Sequence, residues 1–398
     1  MKHLMAWAAA AVLAAGIASG ARAEDNILRF GVFVPMSGAA ASWGIGSAWV
    51  GQQAAKEIND HGGIKAGGKT YKVEVIAYEN GYNSADGGKA AQAMLNRDGI
   101  RFVIQGIGTA PVKALQSLSE RTGALLLQIA WGKSVKGPQA PLTFTSSNTP
   151  FELFGPLIDA VKRQHPEAKT VALLNPNDAT GQEVEEEVVK QYKARGYTIL
   201  TSAWYERGTT EFQPIATKLA QTHADIMDMG APPADSGLVF KELSVQGWKG
   251  IKIQSAGTGA DATVKVGGAA VEDTYMGAAA DFAGPTATPI QRKLNEGALA
   301  ALHEPLNVLQ LATWDAAMAT KAGIEKANSI DPRKVAKVLP DLIFESSYGP
   351  AAFGGKETYG SPQQMLVPII VSQIKNGQTV EIERIIPAEL KQRLAKQP

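Results

Sequence analysis

Few residues in this 398-residue chain are of types and at spacings that could do chemistry. Gly63–Thr70, GIKAGGKT, matches the P-loop pattern letter for letter. A P-loop needs a strand before it and a helix after it, so that the helix dipole faces the phosphates. Here the spacing predicts the reverse: a helix ends at Asp60 and a strand starts at Tyr71. The stretch therefore reads as a glycine-rich helix-to-strand turn. Gly44-Ile45-Gly46 and Gly106-Ile107-Gly108 resemble the start of a dinucleotide fingerprint, but Trp49 and Pro111 stand where the third glycine belongs. His61, His165, His223 and His303 are not paired at metal-ligand spacing. There is no G-x-S-x-G elbow, and Ser372-Gln373-Ile374-Lys375 matches S-x-x-K without companion motifs. The chain has no Cys, which excludes thiolate catalysis, disulfides and a lipoprotein anchor. What remains is binding chemistry. Gly108-Thr109-Ala110-Pro111 follows a strand and opens a helix, where free N–H groups and the Thr109 hydroxyl could hold a carboxylate. Thr109 could equally serve only as a helix cap. Trp43 and Trp131 fall in strand-end loops, either lining an apolar pocket or packing between loops.

The elements that must position these residues alternate along the chain. Leu28–Val34 is an apolar, β-branched and aromatic run that reads as a buried strand. A loop of small residues follows, Pro35 to Gly46, and then Val50, Ala54, Ala55 and Ile58 recur at helical spacing. Strands are expected at 71–79, 101–105 and 124–130, with helices between them. In open α/β sheets ligands bind beyond the carboxyl ends of strands, which is where Trp43, Thr109 and Trp131 fall. A second unit starts near Thr149, where Thr149-Pro150 with Glu152 is a helix-start signal. It repeats the pattern, with strands at 170–175, 197–204, 225–229 and 252–256. The remainder returns to the two units and ends in a hairpin, 366–373 and 380–385, turned near Asn376-Gly377.

These patterns predict an α/β protein of two doubly wound, parallel-sheet lobes joined by a three-strand hinge. Lobe 1 is expected from 24–147 plus 282–349, and lobe 2 from 148–281 plus 350–398. Residues 1–23 have a basic n-region, an apolar h-region from Leu4 to Ser19 and an Ala21-Arg22-Ala23 cleavage site. They read as a signal peptide cleaved near Ala23, placing the mature protein in the periplasm. No later apolar run reaches the ~18 residues of a membrane span. Formal net charge is +1, and no basic–aromatic stripe suggests nucleic acid.

Pro35-Met36-Ser37-Gly38, Trp43-Gly44, Ala54 through Asp60, Gly62-Gly63-Ile64-Lys65, Asn177–Gly181 and Trp314-Asp315-Ala316-Ala317 together resemble the type I periplasmic solute-binding proteins of the branched-chain amino acid transport family. The resemblance covers essentially all of the chain after the signal peptide and accounts for the P-loop match, since the family has a similar turn there. It implies a receptor that closes two lobes on one small ligand and delivers it to an inner-membrane ABC permease; with no catalytic cluster in the sequence, a monomer without cofactor or catalysis is expected. It implies a pocket aromatic at Trp43, a carboxylate site at Gly108 and Thr109, and a carbonyl for the ligand ammonium at Ala130. The family's two second-lobe tyrosines align with Thr180 and Ala231, its ammonium-pairing acid with Thr258, and its threonine after Ala130 with the Trp131-Gly132 region.

A buried ammonium without a counter-charge costs several kcal/mol, and Thr258 offers none unless Asp178 or Asp261 substitutes. The expected ligand is therefore a small carboxylate with an apolar or aromatic body, or a hydrophobic amino acid. An amide or urea receptor is the alternative, followed by an enzyme on the same scaffold or a sensory domain.

Overall fold

The computed structural model describes residues 26–396. The expected signal peptide, 1–23, and its cleavage site near Ala23 lie outside them. The chain builds two mixed, mostly parallel sheets. In the nine-stranded sheet, Asn26–Val34 is flanked on one side by Lys69–Glu79 and on the other by Phe102–Gly106, Leu125–Gln128 and Thr143–Thr145. In the seven-stranded sheet, Thr170–Pro176 is flanked by Thr198–Tyr205 on one side and by Ile226–Met229, Ile251–Gln254 and Tyr275–Met276 on the other. The wiring of the two parallel blocks is the same. Each sheet has a switch point beside its first strand, and the loops at the carboxyl ends there form a crevice.

The central strands Phe102–Gly106, Leu125–Gln128, Thr170–Pro176 and Ile226–Met229 are buried along almost their whole length, as strands covered on both faces must be, while Lys69–Glu79 and Thr198–Tyr205 are partly exposed. Phe30, Val32 and Val34 point to one face of their strand, where Val50, Ala54 and Ile58 of the helix Ala41–Asp60 pack. The apolar core continues from there through Phe144 and Phe154 to Leu173 and Tyr275, so both lobes share it. No helix among the described residues is long and apolar enough to cross a membrane.

The stretch 63–70 joins a helix to a strand, as expected, but as a hairpin and not a plain turn: Ile64–Ala66 pairs antiparallel with Lys69–Glu79 across Gly67 and Gly68, both at positive φ, so the strand starts at Lys69 and not at Tyr71. The terminal hairpin pairs Ile369–Lys375 with Gln378–Ile385. Its two turn residues, Asn376 and Gly377, have φ of 51° and 72°, the left-handed pair that a two-residue hairpin turn demands.

The return of the chain to lobe 2 comes later than expected at 350. Gly349–Gly354 pairs with Ile343–Ser346 and with Gln364–Leu366, and the latter pairs with Thr143–Thr145, all in the first sheet. The apolar run that starts at Leu366 reads as one strand in the sequence, but Pro368 cannot donate to a ladder, and the chain changes sheets there. The end of the chain also departs from lobe 2. The helix Ala388–Leu394 buries Leu390 against Ala352 and Leu366, and Glu389 accepts from the Gly355 N–H at 2.9 Å. So beyond the three expected connections, near 146–149, 277–288 and 367–368, a further one passes at 386–387.

Lys136 is buried at the first connection. Its ammonium donates to Thr149 Oγ1 at 2.7 Å, Gln364 Oε1 at 2.8 Å and Tyr359 Oη at 3.1 Å. Thr149 opens the first helix of lobe 2 in a capping box with Glu152, so one cation ties both lobes at the hinge. Burial pushes Lys136 down to about 8, against the pull of Glu152.

Candidate functional site

Corresponding loops of the two lobes meet in the cleft. The loops after the first strands bring Trp43 and Thr180, those after the second strands Tyr82 and Arg207, and those after the third Ile107-Gly108 and Gly230 with Pro232. The loops after the fourth bring Ile129 with Trp131 and Ala256. With Leu309 they line one narrow cavity between the lobes.

Local sequence fixes these loops in turn. Asn80 is fully buried, and its amide donates to the Ile107 carbonyl at 2.9 Å and the Phe33 carbonyl at 3.3 Å, while its Oδ1 accepts from Tyr82 N–H at 2.9 Å. Glu79 accepts from the Met36 and Gly81 N–H groups, both at 2.7 Å. Two residues thus knit the ends of three strands and hold Tyr82 at φ 55°, a conformation a bulky residue adopts only when its surroundings enforce it. Gly108, at φ 92°, stands at the N-cap of the helix Thr109–Thr122. Thr109 is therefore the first helical residue and not the cap.

On the far wall, Asn307 caps the helix Val308–Ala327 by accepting from Leu309 and Gln310 N–H, and the Gln310 amide donates to the Ser42 carbonyl at 2.8 Å. This seats Leu309 beside the first turn of the helix Ala41–Asp60, which carries Trp43 and starts inside the stretch expected as loop.

Hydrogen bonds run across the cleft. The Trp43 indole N–H donates to Thr258 Oγ1 at 3.2 Å. Thr180 donates its hydroxyl to Thr109 Oγ1 at 2.8 Å and accepts from Thr109 N–H at 3.3 Å. Thr109 Oγ1 also accepts from Gly132 N–H at 3.0 Å, and a Cβ at Gly132 would collide with Thr109, so glycine is required for that approach. Ser134 donates from N–H and hydroxyl to Glu183 at 2.8 and 2.6 Å.

The Arg207 guanidinium lies 4.5 Å from the centre of the Tyr82 ring and pairs through Nε with Asp178. Burial works against its charge, and Tyr82 and Asp178 outweigh burial, so its acidity is weaker still than that of an ordinary guanidinium. Burial raises the Tyr82 phenol, the nearby Arg207 charge opposing, so the phenol stays protonated at neutral pH. The rings of Trp43 and Tyr82 sit 6.3 Å apart. Two buried polar groups at this site have no partner among the described residues: the Trp131 indole N–H, and the Asn175 amide, which lies against Gly230.

Of the residues expected at the site, Trp43, Gly108, Trp131 and Thr180 line the cavity. Thr109 stands one bond behind Thr180. Ala130 and Ala231 are buried and do not line it; their neighbours Ile129, Trp131, Gly230 and Pro232 do. Thr258 meets Trp43 in an adjoining recess that Asp261 also lines. Asp178 is committed to Arg207 and to capping its own helix through Gly181 N–H, and neither it nor Asp261 lines the main cavity. Tyr82 and Arg207 are the residues that sequence reasoning passed over. A positional signal was available, since both follow expected strands by three residues. A larger, open depression near His165, His223, Lys252 and Tyr275 lies at the amino ends of the second lobe's strands, away from these loops.

The periplasmic binding protein family model matches residues 28–378. The leucine-, isoleucine-, valine-, threonine-, and alanine-binding protein of Pseudomonas aeruginosa is 23% identical over 348 residues, 87% of this chain and 91% of that protein. A leucine binding protein from Thermotoga maritima superimposes with a TM-score of 0.77 at 16% identity, covering 91% of this chain and 99% of that one. An ABC-transporter solute-binding protein from Rhodopseudomonas palustris, solved with 3,4-dihydroxybenzoic acid, gives 0.76 at 18% identity, covering 90% and 97%. The match runs from the first strand into the terminal hairpin, and the chain belongs to the periplasmic binding protein family, as a type I member related to the branched-chain amino acid-binding proteins.

Proposed function

We propose that the protein is the periplasmic solute receptor of an ABC importer, closing its lobes over a small carboxylate with an apolar or aromatic body and presenting it to an inner-membrane permease. The make-up of the cavity carries this reading. Its walls are the aromatic side chains of Trp43, Tyr82 and Trp131 with Ile107, Ile129 and Leu309, and among the described residues the one charged side chain lining it is the cation Arg207. An α-ammonium buried there would need a counter-charge, and no carboxylate among the described residues lines the cavity. The Rhodopseudomonas palustris neighbour, solved with an aromatic acid, agrees with the reading; the Pseudomonas aeruginosa relative, named for aliphatic amino acids, favours the other ligand class. The role is binding rather than catalysis, in keeping with the transport receptors among its relatives. Thermal unfolding of ligand-stripped protein against aliphatic amino acids, aromatic carboxylates, short-chain acids and amides tests it, because a ligand selective for the folded state raises the midpoint. Aromatic carboxylates are expected to raise it. A rise with leucine, isoleucine or valine alone, or with amides alone, would overturn the ligand assignment.

A further inference from the structure

Taking that reading as its basis, we infer that Arg207 of the second lobe, with the Trp131 indole N–H, is the carboxylate-recognising pair of this receptor, and that Thr109 serves as an interlobe latch. The hydroxyl and N–H of Thr109 are both engaged by Thr180, and the hydroxyl also by Gly132. A ligand carboxylate would have to take the Thr109 N–H from Thr180, or approach a hydroxyl whose oxygen already accepts from Thr180 and Gly132. Arg207 is placed differently. Its Nε is committed to Asp178, while its two terminal nitrogens carry no hydrogen bond among the described residues. The guanidinium is also held against a ring whose backbone is itself locked by Asn80. This is a fork fixed in position before the ligand arrives, and a planar carboxylate matches such a fork with two parallel bonds.

Trp131 supplies the second donor. It is 8% exposed and lines the same cavity, and its N–H is unpaired among the described residues. An unmade bond of this kind is costly unless a ligand makes it. The acids near Arg207 do not compete for the site. Asp178 accepts from Gly181 N–H as well as from Arg207, Asp235 accepts from the Tyr205 hydroxyl at 2.7 Å, and neither lines the cavity. The discrimination that follows is between an acid and its neutral isostere.

The test is calorimetric titration of benzoate and benzamide into ligand-stripped wild type, Arg207→Lys, Arg207→Met and Thr109→Val. Wild type is expected to prefer benzoate. Arg207→Met is expected to lose about 10- to 100-fold in benzoate affinity with little change for benzamide. Arg207→Lys keeps a charge beside Asp178 but not the fork, so it remains folded and still loses much of the preference. Thr109→Val is expected to weaken both ligands by the same factor. A wild type that binds benzoate, with an Arg207→Lys variant that keeps the full benzoate-to-benzamide ratio, would overturn the inference and leave the receptor reading standing. So would a Thr109→Val variant that loses benzoate selectively. A wild type that binds neither benzoate nor any other acid in the panel would overturn both.

Discussion

Trp43 and Thr258 show how a departure from the family pattern becomes a different contact. The resemblance placed the ammonium-pairing acid at 258; threonine there accepts instead from the Trp43 indole N–H at 3.2 Å. The bond joins the lobes and leaves the ring of Trp43 on the cavity wall. Trp43→Phe keeps most of the wall and removes the donor, so affinity for every ligand is expected to fall about 2- to 10-fold. Titration of two chemically different ligands checks this, and a loss confined to one of them would place the indole N–H on that ligand instead. Trp43, Trp131 and Thr180 were legible from sequence because strand-end loops and the family pattern both mark them. Arg207 had only its place after an expected strand to mark it: in the polar loop Glu206-Arg207-Gly208 an arginine ordinarily reads as a solvated charge. Only its stacking on Tyr82, which is distant in sequence, shows otherwise. Ala130 and Ala231 fell one residue from the lining positions, because loops lack the periodicity that fixes register in strands and helices.

Among the elements, the joints between lobes carry the testable consequences. The helix Ala179–Ala194 of lobe 2 reaches the lobe 1 loop through Glu183, which accepts twice from Ser134. Glu183→Ala removes those bonds at the rim of the cleft without touching a core. Affinity is expected to fall about 2- to 10-fold for all ligands with an unchanged unfolding midpoint for the free protein. A lowered midpoint would mean that the pair stabilises the fold rather than closure. Asp315, on the long helix Val308–Ala327, holds the turn after Ile343–Ser346 by accepting from Ser347 N–H at 2.6 Å and from its hydroxyl at 3.0 Å. Burial pushes its carboxyl up to about 7 against those bonds. The folded state therefore keeps a proton that the unfolded chain releases near pH ~4. The stability this contributes is present below that pH and is lost as pH rises through 7. The uncharged amide of an Asp315→Asn variant resembles the protonated acid and does not titrate. The midpoint of wild type is thus expected to fall, relative to that variant, between about pH 4 and pH 7 and to level off above. Parallel midpoints across that range would show that Asp315 is ionised in the fold.

Across the whole molecule, two blocks of identical wiring face each other, and their equivalent loops supply the two walls of one cavity. This much was legible: the alternation of buried runs and amphipathic stretches marks the lobes, and strand-end loops mark the cleft. The path of the chain beyond Gly349 was not. Gly349–Gly354 and Gln364–Leu366 join the first sheet, the latter by pairing with a strand far away in sequence, and no local pattern names the partner of such a strand. Hinge closure on a ligand is the property on which the binding expectations depend. Small-angle X-ray scattering of ligand-stripped protein, with and without a saturating aromatic carboxylate, measures it most directly. The radius of gyration is expected to fall on addition of the acid and to stay unchanged with leucine. An unchanged radius with the acid demonstrably bound, or a fall with leucine alone, would contradict closure on a carboxylate.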